Sequence, residues 1–291
     1  MTSQTDPFEG SRQRLWGIAY RMLGSRAEAD DAVQEAWLRW NRSPQADIRT
    51  PEAWLVTATT RLCIDRLREL RAERETYIGP WLPEPIAIET APPADHSSEL
   101  ASDLSVAFLA VLERLAPEER AAFLLHEMFD SGYDEIAQIL GKSEVATRQI
   151  VSRATRRVRT ERPRVHVSPE AKQRLLDGLV QALQALDKDA LLKLLAKDSA
   201  WTSDGGGKAL AALKVIRGAE HLARFATGVY RKIISDIVFR QVAVNGEPGV
   251  AVMYKGQLFA VLTIRTDGVR ILDVFAILNP DKLRAVSFST H

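Results

Sequence analysis

The chain is expected to fold as two all-α modules followed by an α+β domain, and three features of its 291 residues predict this. From Phe8 to about Tyr77, and again from about Leu100 to Arg159, apolar residues recur at helical spacing. Between these stretches, Gly79 to Ser98 carries prolines at 80, 83, 85, 92 and 93, which exclude a helix or a central strand. The last third ends in four β-rich runs, DIVFRQVAV, GVAVMY, LFAVLTIR and VRILDVFAIL, separated by Asn245-Gly246, Lys255-Gly256 and Asp267-Gly268. Asn-Gly and Asp-Gly supply the positive φ angles that a type I′ hairpin turn requires. The expected limits are a helical module at 8–77, a proline-rich linker at 78–99, a second helical module at 100–162 and the α+β domain at 168–284.

In the first module the Ser43-Pro44 loop and Pro51 interrupt the helical pattern. The linker is longer than an ordinary connection, which marks it as functional or disordered. The α+β domain opens at Ser168-Pro169-Glu170, an N-cap followed by proline in the first turn. One amphipathic helix then follows from Leu175, Leu176, Leu179, Val180 and Leu183, and a second from Leu191, Leu192, Leu194 and Leu195. A third starts after Gly218, and the strands form an antiparallel meander with one face covered by helices.

Hydrophobic residues make up 46% of the chain, enough for an ordinary core in each domain. The net charge of +1 hides a segregation: seven arginines fall between Arg148 and Arg164, with Lys142 just upstream. Such density suits a polyanion, although a solvated helix face has the same composition. A single cysteine, Cys63, excludes an internal disulfide and a cysteine-rich zinc site, and its apolar surroundings make it a core thiol. No metal-ligand spacing is present. The polar start MTSQTDPFEG lacks an export pattern, and runs such as FAVLTI are too short to span a bilayer. A cytoplasmic protein without membrane or cofactor is the expectation.

Three constellations carry function. In EADDAVQEAWLRW, Val33, Ala36, Trp37 and Trp40 form the stripe expected to be buried, leaving Asp30, Asp31, Gln34 and Glu35 on another face. Concentrated carboxylates there suit either solvent or a basic partner. In YDEIAQILGKSEVATRQIVSRATRRVR, a helix packing by Ile136, Ala137 and Leu140 turns at Gly141 and restarts behind Ser143, with Ile150, Val151 and Ala154 inward. This is helix-turn-helix spacing, and the second helix presents Arg148, Gln149, Ser152, Arg153 and Arg156 outward. Arginine can fork onto guanine, glutamine onto adenine, and the rest can hold phosphate. The third, Trp54 to Arg74, carries Arg61, Arg66, Arg68, Arg71 and Arg74 against Asp65, Glu69, Glu73 and Glu75, so its charge is nearly balanced.

Taken in order, ADDAVQEAWLRW, PEAWLVTATTRLCIDRLRELR and LERLAPEERAAFLLHEMFDSGYDEIAQILGKSEVATRQIVSRA resemble the extracytoplasmic-function group of bacterial RNA polymerase sigma factors, over about Phe8 to Arg162. The remainder resembles the subgroup with a fused SnoaL-like domain, whose markers WLPEP (Trp81, Leu82, Pro83, Glu84, Pro85), DGGGK (Asp204, Gly205, Gly206, Gly207, Lys208) and NPDKL (Asn279, Pro280, Asp281, Lys282, Leu283) stand intact. The resemblance implies a σ2 helical bundle, a σ4 helix-turn-helix and a SnoaL-like cone. It further implies that Asp30, Asp31, Gln34 and Glu35 dock on core RNA polymerase. It assigns promoter DNA to Arg61 and Arg68 beside the −10 loop (Asn41 to Thr50) and to the second helix of the −35 reader. The family usually has apolar residues just after the turn glycine and five positions on, where this chain has Lys142 and Thr147.

WTSDGGGKA looks like a phosphate loop but fails as one: Thr202 replaces the first glycine, and Lys208 is followed by Ala209 rather than Ser or Thr. The resemblance makes the glycines an interdomain contact with the linker, for which PWLPEP is stiff and has Trp81 as anchor. SnoaL-like relatives also include enzymes with an apolar pocket. Here the proton-transfer candidates are Asp204, His221, Asp273 and Tyr230, with Asp273 on the strand face of Val269, Ile271, Phe275 and Ile277. Neither paired carboxylates nor a Ser-His-Asp order supports catalysis. The leading expectation is a sigma factor modulated by its own C-terminal domain. The alternative is a small-molecule enzyme, or a sensor with a small-molecule ligand, fused to a DNA-binding module.

Overall fold

The computed structural model describes residues 7–45, 48–88, 104–161, 167–233, 236–284 and 286. The expectations placed on residues 46 and 47 of the −10 loop, on Pro92, Pro93 and Leu100, and on Arg162 and Arg164 lie outside the described residues. Two compact units result, Met1–Thr76 with Val111–Pro163, and Tyr77–Ala110 with Arg164–His291.

The first unit starts with α1 (Pro7–Leu23), α2 (Arg26–Arg42) and α3 (Pro51–Glu75). The Ser25 hydroxyl caps α2 by accepting from the Glu28 N–H, and Pro51 sets the first turn of α3 where its missing N–H costs nothing. α1 packs on both others, and Leu15, Ile18 and Leu23 of α1, Ala29, Val33 and Ala36 of α2, and Leu55, Ile64 and Leu67 of α3 are all buried. Cys63 is fully buried, as expected, and burial pushes its thiol up to about 12, so it is not a nucleophile near neutral pH. Trp37 departs from expectation. The buried stripe of α2 runs through Ala29, Ala32, Val33, Ala36 and Trp40, and Trp37, one position off it, is exposed.

After α4 (Val106–Leu112), which straddles the division between the units, come α5 (Pro117–Phe129), α6 (Tyr133–Leu140) and α7 (Glu144–Glu161). α6 ends at Gly141 with φ of 64°, a left-handed cap that turns the chain toward α7. Ser143 restarts the helix by accepting from the Ala146 N–H. Thr147, where the family pattern has an apolar residue, is fully buried and donates to the Ser143 carbonyl at 3.0 Å, so its polarity is satisfied. α5 also packs on α1 and α3. There Arg120, 1% exposed, donates to the Arg21 carbonyl at 3.0 Å and pairs with Glu113, which also receives Arg74.

The second unit holds β1 (Ala87–Ile88), α8 (Pro169–Gln184), α9 (Lys188–Leu194), β2 (Leu195–Asp204), β3 (Ile216–Arg217), α10 (Ala219–Tyr230), β4 (Ile237–Val244), β5 (Glu247–Tyr254), β6 (Gln257–Thr266), β7 (Ile271–Ile277) and α11 (Pro280–Leu283). Its sheet runs β1-β4-β5-β6-β7-β2-β3. The four expected runs form the meander β4 to β7, but β2 lies parallel to β7, so the sheet is mixed. The second helix stops at Leu194, and Leu195 begins β2 instead. Asn245-Gly246 and Lys255-Gly256 have the two positive φ angles of the expected hairpin turn. At Asp267-Gly268 only the glycine does, and the Asp267 carboxylate instead accepts from the N–H groups of Val269 and Arg270.

Alternation along the strands gives two cores rather than one covered face. Val250, Val252, Leu262, Ile264 and Val274 meet α8, α9 and α10. On the opposite face Ala251, Val261, Phe275 and Ile277 meet Leu82, Val106 and Leu283. The proline-rich segment is thus part of the C-terminal fold: Leu82 to Pro85 are buried and β1 extends the sheet at its edge. Asn245 fastens it there, accepting from the Ile86 N–H at 2.9 Å and donating to the Leu104 carbonyl at 2.8 Å.

Gly141→Ala tests the helix-turn-helix corner. An added Cβ meets nothing within 4 Å, so only the left-handed backbone is penalised. A loss of about 1 kcal/mol is expected in urea denaturation of the full chain.

Candidate nucleic-acid interface and glycine junction

α7 buries Thr147, Ile150, Val151, Ala154 and Val158 against α5 and α6. At about 100° per residue the opposite face then carries Arg148, Gln149, Ser152, Arg153 and Arg156, and all five are exposed. Arg148 is held in place: its guanidinium donates to Glu144 and lies 4.8 Å from the centre of the Tyr133 ring. A cleft of about 540 Å³ beside the helix is lined by Tyr133, Ser152, Thr155, Arg156 and Arg159 among others. A second, of about 480 Å³, brings Gln149 and Arg153 together with Lys142 and Arg68.

Arg68 bonds Asp65 and Glu118 at 2.9 Å each. Arg61 donates to the carbonyls of Gln138 (2.7 Å) and Ile139 (3.0 Å), where a cation complements the negative end of α6. Both arginines are therefore engaged in packing α3 against α5 and α6 in this conformation. On α2, Asp30, Asp31 and Gln34 are exposed, and Glu35 is half-buried in a 3.0 Å pair with Arg39. Asp30 also accepts from the Trp16 indole at 2.7 Å. Exposed Trp37 lies one turn beyond Gln34, adding an aromatic surface to this acidic stripe that the apolar spacing assigned to the core.

The three short motifs of the C-terminal unit meet at one carboxylate. Asp204, at the end of β2, is 0% exposed. Its Oδ1 accepts from the Tyr77 hydroxyl at 2.5 Å, and its Oδ2 from the Leu82 N–H and the Lys282 ammonium, both at 2.7 Å. Its backbone carbonyl accepts from the N–H groups of Leu278 and Asn279. Lys282 also donates to the Leu82 carbonyl at 2.5 Å and stands 4.0 Å from the Trp81 ring centre. Asn279 donates to the Tyr77 hydroxyl at 2.9 Å, and its own side chain caps α11. Lys208 pairs with Asp281 on the surface. Of the predicted set, Glu84 and Pro85 are buried alongside, Pro83 with them, and Pro280 opens α11.

The glycines are explained by this crowding. Gly206 and Gly207 have φ of 58° and 72°. A Cβ on Gly206 would overlap Asn279 Nδ2 and stand 2.8 Å from the Tyr77 hydroxyl, and one on Gly207 would stand 2.8 Å from Ile78. On Gly205 it would press on the Ala209 carbonyl oxygen, at 2.5 Å. Tyr77, which donates one of these bonds and accepts another, has nothing in its local sequence pattern that separates it from a helix-end tyrosine. Burial, then the hydrogen bond and charge of Asp204, push its phenol well above the usual tyrosine range.

The four proton-transfer candidates have separate partners. Asp204 serves the junction, Asp273 pairs with Arg265 across β6 and β7, His221 lies near the Arg217 carbonyl, and Tyr230 stacks on Phe239. Asp273 is largely buried but already charge-compensated by Arg265, rather than alone on an apolar face. Among the described residues no group of three or more His, Cys, Asp or Glu side chains could hold a metal ion, and no helix is long and apolar enough to cross a membrane.

Asp204→Asn removes the charge opposite a nearly buried ammonium and is expected to cost about 3 kcal/mol in denaturant unfolding of the full chain. Gly206→Ala, which adds collision to left-handed strain, should cost more than Gly141→Ala in the same measurement. A raised tyrosine pKa keeps its stabilisation below the unfolded value and loses it above. Stability should therefore fall more steeply beyond about pH 10 in the native chain than in Tyr77→Phe, as read from urea midpoints against pH.

Two family models match the first unit and the helix-turn-helix: Sigma-70 region 2 over residues 8–73 and Sigma-70, region 4 over residues 105–158. The chain is 37% identical to the ECF RNA polymerase sigma factor SigJ of Mycobacterium tuberculosis, over 96% of this chain and 93% of that one. It is 30% identical to the probable ECF RNA polymerase sigma factor SigI of the same species, covering 97% and 98% of the two chains. The crystal structure of Mycobacterium tuberculosis SigJ superimposes with a TM-score of 0.76 at 35% identity, over 96% of this chain and 97% of that one. Helical regions 2 and 4, and a relative matched through the whole C-terminal unit, place the chain in the extracytoplasmic-function family of RNA polymerase sigma factors, as a transcription-initiation factor with a SnoaL-like C-terminal domain.

Proposed function

We propose that Asp30, Asp31, Gln34 and Glu35 dock on core RNA polymerase, that the loop from Asn41 to Thr50 with α3 takes an unpaired −10 base, and that α7 reads the −35 element. The observation carrying this reading is the division of α7: a continuous apolar face packed within the helix-turn-helix, and Arg148, Gln149, Ser152, Arg153 and Arg156 all facing solvent. The acidic stripe of α2 is the second support, since a basic partner relieves the repulsion of its neighbouring carboxylates. Arg61 and Arg68 reach DNA only after releasing the carbonyls of α6 and the carboxylate of Glu118, so promoter engagement requires α3 to part from α5 and α6.

The C-terminal unit modulates initiation through the Asp204 junction and carries out no chemistry of its own. Its linker enters the sheet and its core at Leu82 and β1, so a change at the junction is transmitted along the chain that joins the two helical regions. The protein works in the cytoplasm, beside the polymerase and the chromosome.

Transcription in vitro with core polymerase tests the assignment. The full chain should confer promoter-specific RNA synthesis, and charge reversal at Asp31 and Glu35 should lower it at least tenfold while leaving the unfolding midpoint within error. Lys282→Met should alter promoter output without removing polymerase association. Turnover of a small molecule that disappears with Asp273→Asn would instead favour a fused enzyme.

A further inference from the structure

α7 has one exposed side chain that its packing does not account for. Val145, in the first turn after the Ser143 cap, is 69% exposed. Single exposed apolar residues are ordinary, but this one has a specific place. At about 100° per residue, Val145, Ser152 and Arg156 fall within about 20° of one line along the helix. That line runs opposite buried Ala154. Every other exposed side chain of α7 whose surroundings are described, Glu144, Arg148, Gln149, Ser152, Arg153, Arg156, Arg157, Arg159 and Thr160, is polar or charged.

We propose that Val145 is a base-reading residue whose ligand is the C5 methyl group of one thymine in the −35 element; this rests on the reading of α7 as the −35 helix. Recognition helices present their N-terminal residues to base edges, and thymine alone among the four bases shows a methyl group in the major groove. Valine brings two methyl groups and no donor or acceptor, so the contact removes apolar surface from water without stripping a polar group of its hydrogen bonds. The neighbours are arranged to leave the contact open. Arg148 is drawn aside by Glu144 and the Tyr133 ring, while Gln149, one turn further along, is free to address an adjacent base pair.

The experiment uses holoenzyme assembled from core polymerase and the full chain. A −35 segment is first selected from duplexes randomised there, and each thymine in it is then replaced singly by deoxyuridine, which lacks only the methyl group. One replacement should weaken holoenzyme binding about fourfold, the value of one buried methyl-sized group. In Val145→Ala, whose exposed site leaves the fold intact, that penalty should vanish, while substitutions at the other selected positions keep their cost. A selected segment without thymine, a flat uridine scan, or a penalty that survives in Val145→Ala would each overturn the proposal. Holoenzyme that forms and starts RNA synthesis yet selects no −35 segment would instead remove the reading of α7 itself, and the proposal with it.

Discussion

The C-terminal unit is organised around the need to satisfy one buried charge. A carboxylate with no solvent exposure is tolerable only when its lone pairs meet donors and a cation, and Asp204 meets three of them from two separated parts of the chain. Tyr77 and the Leu82 N–H come from the linker, and Lys282 comes from the end of the chain. Because the linker supplies two of the donors, it cannot leave without exposing the deficit. Sequence distance therefore understates coupling: residues 77 to 88 belong energetically to strands that follow them by more than a hundred positions.

That constraint accounts for residue types around it. Gly206 and Gly207 are needed because the chain must turn with positive φ directly beneath Asn279, Tyr77 and Ile78, leaving no volume for a Cβ. Trp81 contributes its ring face to Lys282, offsetting part of the loss when that ammonium leaves water. Proline in the linker lowers the entropy of ordering it and forbids the helix that would otherwise compete. The motifs are thus one site written in three places, and none of them carries its meaning alone.

How much of this could be read beforehand depended on the range of the interaction. Helices α1 to α3 and the α6-α7 corner are governed by local periodicity, caps and a turn glycine, and they stand as expected. Trp37 shows the limit: its spacing fits an apolar stripe, but three alanines draw the true contact line one position away. The β2 strand was hidden because Leu194 and Leu195 continue a helical spacing, and only pairing with β7 overrides it. The same holds for the second sheet face, whose cover includes Leu82 and Val106 on the far side of the linker. For the junction, motif resemblance indicated which segments meet, whereas the chemistry of the meeting, with Tyr77 as donor and Lys282 as counter-ion, needed three dimensions.

In the first unit the proposed promoter engagement poses the opposite problem, since contacts there must be breakable. Arg61 and Arg68 satisfy carbonyls and a surface carboxylate, partners that water or phosphate can replace at little cost. Arg120 differs: at 1% exposure, with Glu113 and Arg74 beside it, separation of α5 from α1 and α3 would strand or hydrate a charged cluster. In the opening proposed above, the barrier to parting these helices lies in the Arg120-Glu113-Arg74 group, while the exposed arginines set how much of the loss DNA restores. On that proposal the protein is held closed by a few buried charges and drawn open by many exposed ones, which gives salt concentration a strong influence on the balance.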